Sequence, residues 1–211
     1  MSESAELTFS EKDRTEEAFA DAMLYAQAIL VREERNRAKE ILTPSELLED
    51  ATNAGCEYST RLAATYLNTK YRDLFSGIIL LKTHCYPRGE LVNDWIMHQV
   101  LLVQAKDGTY YSGSPANYDK EEKINRLTRV HKTDSLEEIV SSIQREDGGT
   151  WPSPDSIRDV LSDDTKRLPD YRPGERVECT RIYIDSDKEN GTFNQTVERK
   201  PIPPLQILDS Q

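Results

Sequence analysis

The sequence of 211 residues predicts one α+β domain in which helices come first and a cysteine-headed helix packs on an antiparallel sheet. One observation is a long N-terminal stretch with apolar residues at steps of three and four, the period of a helix. Another is a series of short apolar runs between residues 76 and 113, interrupted by a Lys-Asp-Gly turn, which is typical of strands in hairpins. Because helical and strand patterns are segregated rather than alternating, α+β is favoured over α/β.

The first fifty residues are predicted to form a tail followed by helices. Residues 1–10 are polar and are expected to be disordered, and residues 11–50 are an N-terminal helical segment. A helix from Glu11 to about Leu42 carries one apolar stripe, and a second helix is expected to start at Thr43, with Thr43 as its N-cap and Pro44 in its first turn. The stripe consists of Ala18, Phe19, Ala22, Met23, Ala26, Ile29 and Leu30.

The α+β domain is placed at residues 51–200, and it opens with a helix from about Glu57 to Lys70. Residues 94–105 are apolar on both alternating faces, which predicts a central strand. The Lys-Asp-Gly turn at residues 106–108 joins this strand to its antiparallel partner. The strands predicted in this part are 76–83, 94–105 and 109–113.

The late part of the domain is predicted to contain another helix and a hairpin. Ser135 and Glu138 have the spacing of a capping box, which marks the start of a helix over 135–146. Residues 201–211 are rich in proline and are expected to be an irregular tail. The other predicted elements are a short strand at 125–132, helical turns at 155–161 and hairpin strands at 177–185 and 192–199.

Composition argues against several classes of function. A formal net charge of −11 disfavours nucleic acid and anionic membranes as partners, because phosphate groups would be repelled. No apolar run approaches the roughly 18 residues of a membrane span, and the polar N-terminus lacks the apolar core of a signal peptide. The three cysteines, at 56, 85 and 179, form neither an even disulfide framework nor a metal-binding pair. We therefore expect a reduced, cytoplasmic protein without a metal or organic cofactor.

Cys56 stands at the entrance of the predicted helix 57–70, where unpaired backbone N–H groups point outward. The positive end of the helix dipole favours thiolate over thiol and lowers the pKa of a cysteine. The same N–H groups can stabilise an oxyanion. Gly55 is expected to permit an unusual backbone conformation and the close approach of a substrate. A buried small residue at a helix start is the alternative interpretation of Cys56.

His98 is the candidate base for a thiol nucleophile. It lies near the start of the predicted central strand and shares a face with Val100 and Leu102. A histidine in that setting is either a core residue or, if the cysteine-headed helix packs on this sheet, an imidazole presented to the thiol. Trp95, three residues earlier, is placed either in the core or next to the substrate.

Two stretches of the chain resemble the transglutaminase-like branch of the papain-type cysteine enzymes: "GCEYSTRLAATYL" and "HQVLLVQAKDGTYYSGSPANY". In that family a cysteine opens a helix, a histidine heads a strand, and a turn and an aromatic strand ending in Asp-Pro follow. The resemblance covers residues 50–118 and implies a papain/transglutaminase-like core, with Cys56 as nucleophile and His98 as base. It implies acyl transfer from a carboxamide or peptide bond of a protein or peptide substrate, as in a transglutaminase, a deamidase or a thiol protease.

The sequence departs from that family at the residue that orients the histidine. Ser114 stands where the family has an aspartate before the proline, and Asn117 follows three residues later. Ser114 or Asn117 is expected to accept the imidazole N–H, although neither carries a charge that would stabilise the imidazolium. The alternative function is a catalytically inactive transglutaminase-like domain that serves as a protein-interaction module.

Overall fold

A computed structural model describes residues 11–37, 55–85, 96–115, 118–119, 124–125, 130–170, 176–187 and 192–207. Within these ranges the chain forms four α-helices and a six-stranded sheet, which confirms the α+β class. The helices are α1 (Glu11–Arg37), α2 (Cys56–Lys70), α3 (Leu136–Asp147) and α4 (Pro154–Ser162). The strands are β1 (Phe75–Cys85), β2 (Ile96–Ala105), β3 (Tyr110–Gly113), β4 (Tyr118–Asp119), β5 (Ile124–Asn125), β6 (His131–Thr133), β7 (Glu178–Asp187) and β8 (Thr192–Pro201).

The main sheet has the strand order β6-β3-β2-β1-β7-β8, and β4 and β5 form a separate pair. Neighbouring strands of the main sheet are antiparallel except β1 and β7, which run parallel from the pair Ile79–Thr180 to the pair Thr83–Ile184. The prediction of an antiparallel sheet is therefore wrong at this pair. The reason is topological: after β6 the chain passes through α3 and α4 and returns beside β1, a long crossover of the kind that parallel strands require.

Both faces of the central strands are covered by helices. Ile78, Leu80, Leu101 and Val103 belong to one buried cluster with residues of α1 and α2. The alternating residues Ile79, Leu81, Val100 and Leu102 belong to a second cluster with residues of α3 and α4. This arrangement explains why β2 is apolar on both alternating faces, and it places α2 and α3 on opposite sides of the sheet.

Local features of the helices and turns agree with the sequence pattern. The predicted apolar stripe of α1 is buried, and Phe19 stacks on Tyr111 of β3 with ring centroids 5.7 Å apart. Oγ of Ser135 accepts a hydrogen bond from the N–H of Glu138 (3.3 Å), which is one half of a capping box, whereas the N–H of Ser135 donates to Oγ1 of Thr133 (3.2 Å). Gly108, in the turn before β3, has a φ of 91°, the left-handed region that glycine adopts without strain. The helix predicted to start at Thr43 lies outside the described residues.

Residues 202–207, part of the predicted tail, are irregular and pack against the domain. The N–H of Ile202 donates to the carbonyl of Val177 (2.8 Å), and Oγ1 of Thr65 in α2 donates to the carbonyl of Pro203 (2.6 Å). The hydroxyl of Tyr25 in α1 accepts from the N–H of Gln206 (2.8 Å). None of the described helices combines the length and the apolarity needed to cross a membrane.

Candidate active site

Cys56 is the first residue of α2, and Gly55 is its N-cap. The carbonyl of Gly55 accepts the first helical hydrogen bond, from the N–H of Ser59 (2.7 Å). Gly55 is buried, with φ −117° and ψ 2°. Any residue can adopt that negative φ, so the expectation that Gly55 supplies an unusual backbone conformation is wrong. Its role in substrate binding stays a prediction.

The side chains of Cys56 and His98 are hydrogen-bonded to each other, although 42 residues separate their α2 and β2 positions along the chain. Burial by itself raises the pKa of the thiol. The hydrogen bond and charge of His98, together with hydrogen bonds from the backbone N–H groups of Gln99 and Glu57, outweigh burial and lower the pKa of Cys56 below its ordinary value. Both side chains are half-buried, which leaves part of the pair open to solvent.

The ends of the strands explain how the sulfur reaches β2. The described pairing of β3 with β2 stops at Gly113, opposite Leu101. Pro115 has no N–H that could extend the ladder, and its carbonyl accepts instead from Nε2 of Gln27 (3.0 Å). Backbone N–H groups of a strand point sideways in the plane of the sheet. The N–H of Gln99, the residue after His98 in β2, hydrogen-bonds to the sulfur of Cys56, close to the point where this pairing ends.

Trp151, in the connection between α3 and α4, contacts His98 on the face opposite α2. The two rings meet edge to face, with centroids 6.1 Å apart and planes at 90°. The indole is 6% exposed, and its Nε1 donates to the carbonyl of Gly148 (2.8 Å). Thr83, which pairs with His98 across the sheet, donates through Oγ1 to the carbonyl of Thr150. The α3–α4 connection therefore shields the imidazole, a role that the sequence pattern did not indicate.

Glu57, next to the nucleophile candidate, is bound by two buried cations. Its Oε2 lies 2.5 Å from Nζ of Lys82 in β1, and its Oε1 lies 2.8 Å from Nη1 of Arg181 in β7. Arg181 also pairs with Glu198 of β8 at 2.5 Å. Burial raises the pKa of Glu57, but the hydrogen bonds and charges of Lys82 and Arg181 lower the pKa by more than burial raises it, so the net shift is downward. These contacts attach the first turn of α2 to three strands.

Gln99 attaches the same turn to β2. Its Nε2 donates to Oγ1 of Thr60 (2.5 Å) and to the carbonyl of Glu57 (3.2 Å), and Oγ1 of Thr60 in turn donates to the carbonyl of Cys56 (2.7 Å). Gln99 and Thr60 are both fully buried. The position of Cys56 is thus fixed by a side chain next to His98, a further role that the sequence analysis missed.

Of the predicted residues Ser114, Asn117 and Trp95, the structure describes only Ser114. Ser114 is 3% exposed, and its Oγ hydrogen-bonds to no group in the described part of the chain, so it does not orient His98 in this structure. Asn117 and Trp95 lie outside the described residues. Across the described ranges, no group of three His, Cys, Asp or Glu side chains is placed to hold a metal ion.

A scan against protein-family models and searches of curated proteins and of solved structures give no significant match to this chain. The function is therefore argued from the chemistry of the Cys56–His98 pair and its surroundings.

Proposed function

We propose that this chain is a transglutaminase-like thiol enzyme that transfers an acyl group from a carboxamide or peptide bond, with Cys56 as nucleophile and His98 as base. The observation that carries the proposal is the hydrogen bond between the Cys56 sulfur and His98 at the start of α2, where the pKa of the thiol is lowered in spite of burial. A lowered cysteine pKa beside an imidazole and a helix N-terminus is the setting of a reactive thiolate.

In the proposed reaction, His98 takes the proton of Cys56 and the sulfur attacks the carbonyl carbon of a protein or peptide substrate. A C–S bond forms, and the negative charge moves to the carbonyl oxygen, which the N–H of Cys56 and a neighbouring N–H at the start of α2 are positioned to stabilise. The C–N bond then breaks, the amine leaves with the proton of His98, and a thioester remains. Water as acceptor gives hydrolysis or deamidation, and a second amine gives cross-linking.

A transglutaminase-like domain that binds protein without reacting is the second candidate. Its specific support is Ser114, whose hydroxyl hydrogen-bonds to no described group and stands where the resembled family has an orienting aspartate. A serine hydroxyl in place of that aspartate carries no negative charge that would stabilise an imidazolium. Such a domain would keep the Cys56–His98 contact but would not form a thioester.

The first measurement tests whether Cys56 is a reactive thiolate: the native protein is alkylated with iodoacetamide between pH 5 and 9, followed by mass spectrometry of each cysteine peptide. For the enzyme we expect Cys56 to react well below the roughly pH 8.5 at which an ordinary thiol is half ionised. The variant His98→Ala should move that reaction to higher pH. Cys179 is an internal control, because it is fully buried and burial raises its pKa to about 12.

The second measurement detects the thioester itself. The protein is incubated with a glutamine-containing peptide and hydroxylamine, which captures an acyl-enzyme as the peptide hydroxamate. Formation of hydroxamate by the natural chain but not by Cys56→Ala supports the enzyme. Early alkylation without hydroxamate or hydrolysed amide, over a panel of peptides, supports the binding domain, and alkylation of Cys56 only at the pH of ordinary thiols contradicts a reactive nucleophile.

A further inference from the structure

A cavity of about 970 Å³ lies between α2 and the segment that follows β8, and its charged lining residues are cationic. Arg61, Arg72 and Arg176 line it, and none of the described lining residues is an aspartate or glutamate. The whole chain has 38 acidic and 27 basic residues, so three arginines without an acid among the described lining residues run against its composition. We call this space the arginine cavity.

The arginines of the cavity are not neutralised by described carboxylates. Arg61 and Arg176 make no hydrogen bond or ion pair through their guanidinium groups to a described residue, and Nε of Arg61 is buried without an acceptor. Among the described groups, Arg72 donates to two neutral oxygens, Oδ1 of Asn68 (2.6 Å) and the carbonyl of Pro169 (2.9 Å). By contrast, Arg181 and Arg199 both pair with carboxylates. Positive charge in a cavity, with no counterion among the described residues, favours the binding of an external anion.

Much of the remaining lining of the cavity is apolar. Val177, Ile202 and Leu205 contribute aliphatic surface, together with three prolines of the segment 201–204. A site that combines cations with apolar side chains fits a ligand that combines an anionic group with an apolar group. Its volume is at the upper end of small-molecule sites, which span roughly 300–1,000 Å³.

We propose that the arginine cavity binds an organic anion, a carboxylate or phosphate monoester attached to an aromatic or aliphatic group. The guanidinium groups match the paired oxygens of either anion, and the apolar lining residues accept the organic group. The cavity lining contains neither Cys56 nor His98, so this proposal stands independently of the acyl-transfer proposal.

The test is isothermal titration calorimetry of the full chain with phenyl phosphate, phenylacetate, inorganic phosphate and phenol. We expect saturable one-to-one binding of at least one of the two organic anions, with affinity at least about tenfold above that for inorganic phosphate and for phenol. Which organic anion binds more tightly distinguishes phosphate from carboxylate as the natural group. No saturation by either organic anion up to roughly 10 mM, or equal binding of phenol, would overturn the proposal.

Variants identify the site. Arg61→Gln and Arg176→Gln remove guanidinium groups that have no described partner, so both should fold with unchanged melting temperature and bind the organic anion about tenfold more weakly. Arg158→Gln is the matched control, because Arg158 is exposed, lies outside the cavity and pairs with Glu137 and Asp155. An equal loss of affinity in Arg158→Gln, or none in either cavity variant, would mean that the anion binds elsewhere and would refute the assignment.

Discussion

Replacing Glu57 by glutamine tests whether the carboxylate next to Cys56 holds the start of α2 on the sheet. The substitution keeps the length of the side chain and removes its charge. Lys82, whose side chain is 8% exposed, then keeps no carboxylate partner among those described, whereas Arg181 retains Glu198. Removing one partner of a buried ion pair typically costs about 3–5 kcal/mol. Since the Glu57 side chain is 39% exposed and solvent screens part of the interaction, we expect a loss of about 2 kcal/mol.

That loss corresponds to a melting temperature about 4–8 °C lower at pH 7 for a domain of this size. The pH dependence follows from the lowered pKa of Glu57. Its carboxylate stabilises the folded state above the ordinary pKa of 4.5, and this contribution disappears as the pH falls through the lower folded-state pKa. The difference between the natural chain and Glu57→Gln should therefore be complete at neutral pH and should narrow below about pH 4.5.

Thermal unfolding followed by circular dichroism between pH 3 and 8 measures both effects. Glu16→Gln is the matched control, because Glu16 pairs with Lys132 but is 54% exposed, and it should cost less than about 1 kcal/mol. In the double variant Glu57→Gln/Lys82→Met no buried charge is left unpaired, so its loss should be smaller than the sum of the two single losses. Additive single losses, or a deficit that persists unchanged at pH 3, would refute the reasoning.

Three further predictions concern single residues. Ser114→Ala should leave the alkylation rate of Cys56 at pH 6 within about twofold, because the serine hydroxyl hydrogen-bonds to no described group; a larger fall would restore Ser114 as an orienting residue. Gly77→Ala should lower the free energy of unfolding in urea by about 1–3 kcal/mol, since a methyl group there would overlap Cδ2 of Leu161, and an unchanged midpoint would contradict this packing. Tyr111→Phe removes a buried hydroxyl without a hydrogen bond and should leave urea stability equal or higher, so a loss above about 1 kcal/mol would reveal a missed partner.

The sequence predicted the features that depend on neighbouring residues. The apolar stripe of α1, the Ser135–Glu138 cap and the glycine turn before β3 each follow from spacings of a few residues. The parallel pairing of β1 with β7 was not predictable in this way, because it joins strands about a hundred residues apart through a crossover. Strand propensity alone does not distinguish a parallel from an antiparallel neighbour.

In the candidate site, too, one contact could be inferred from the sequence and others could not. The proximity of Cys56 and His98 was inferred from a resemblance in the order and spacing of motifs, and the structure places the two side chains in contact. The partners of Glu57 could not be inferred, because Arg181 lies 124 residues further along the chain and reaches Glu57 only through the β1–β7 pairing. The contact of Trp151 with His98 could not be inferred either, because a tryptophan shortly after a glycine pair indicates only that a helix has ended.

The charges around Cys56 explain how an acidic chain can favour a thiolate at this position. A net charge of −11 by itself favours the neutral thiol, because negative potential opposes a second negative charge. An uncompensated carboxylate on the adjacent Glu57 would add to that effect. Instead each oxygen of Glu57 binds one cation, Lys82 from β1 or Arg181 from β7. The parallel pairing of β1 with β7 therefore places Lys82 and Arg181 where they fix the first turn of α2 against the sheet and neutralise Glu57. As a result, His98 and the backbone N–H groups determine the direction in which the pKa of the Cys56 thiol shifts.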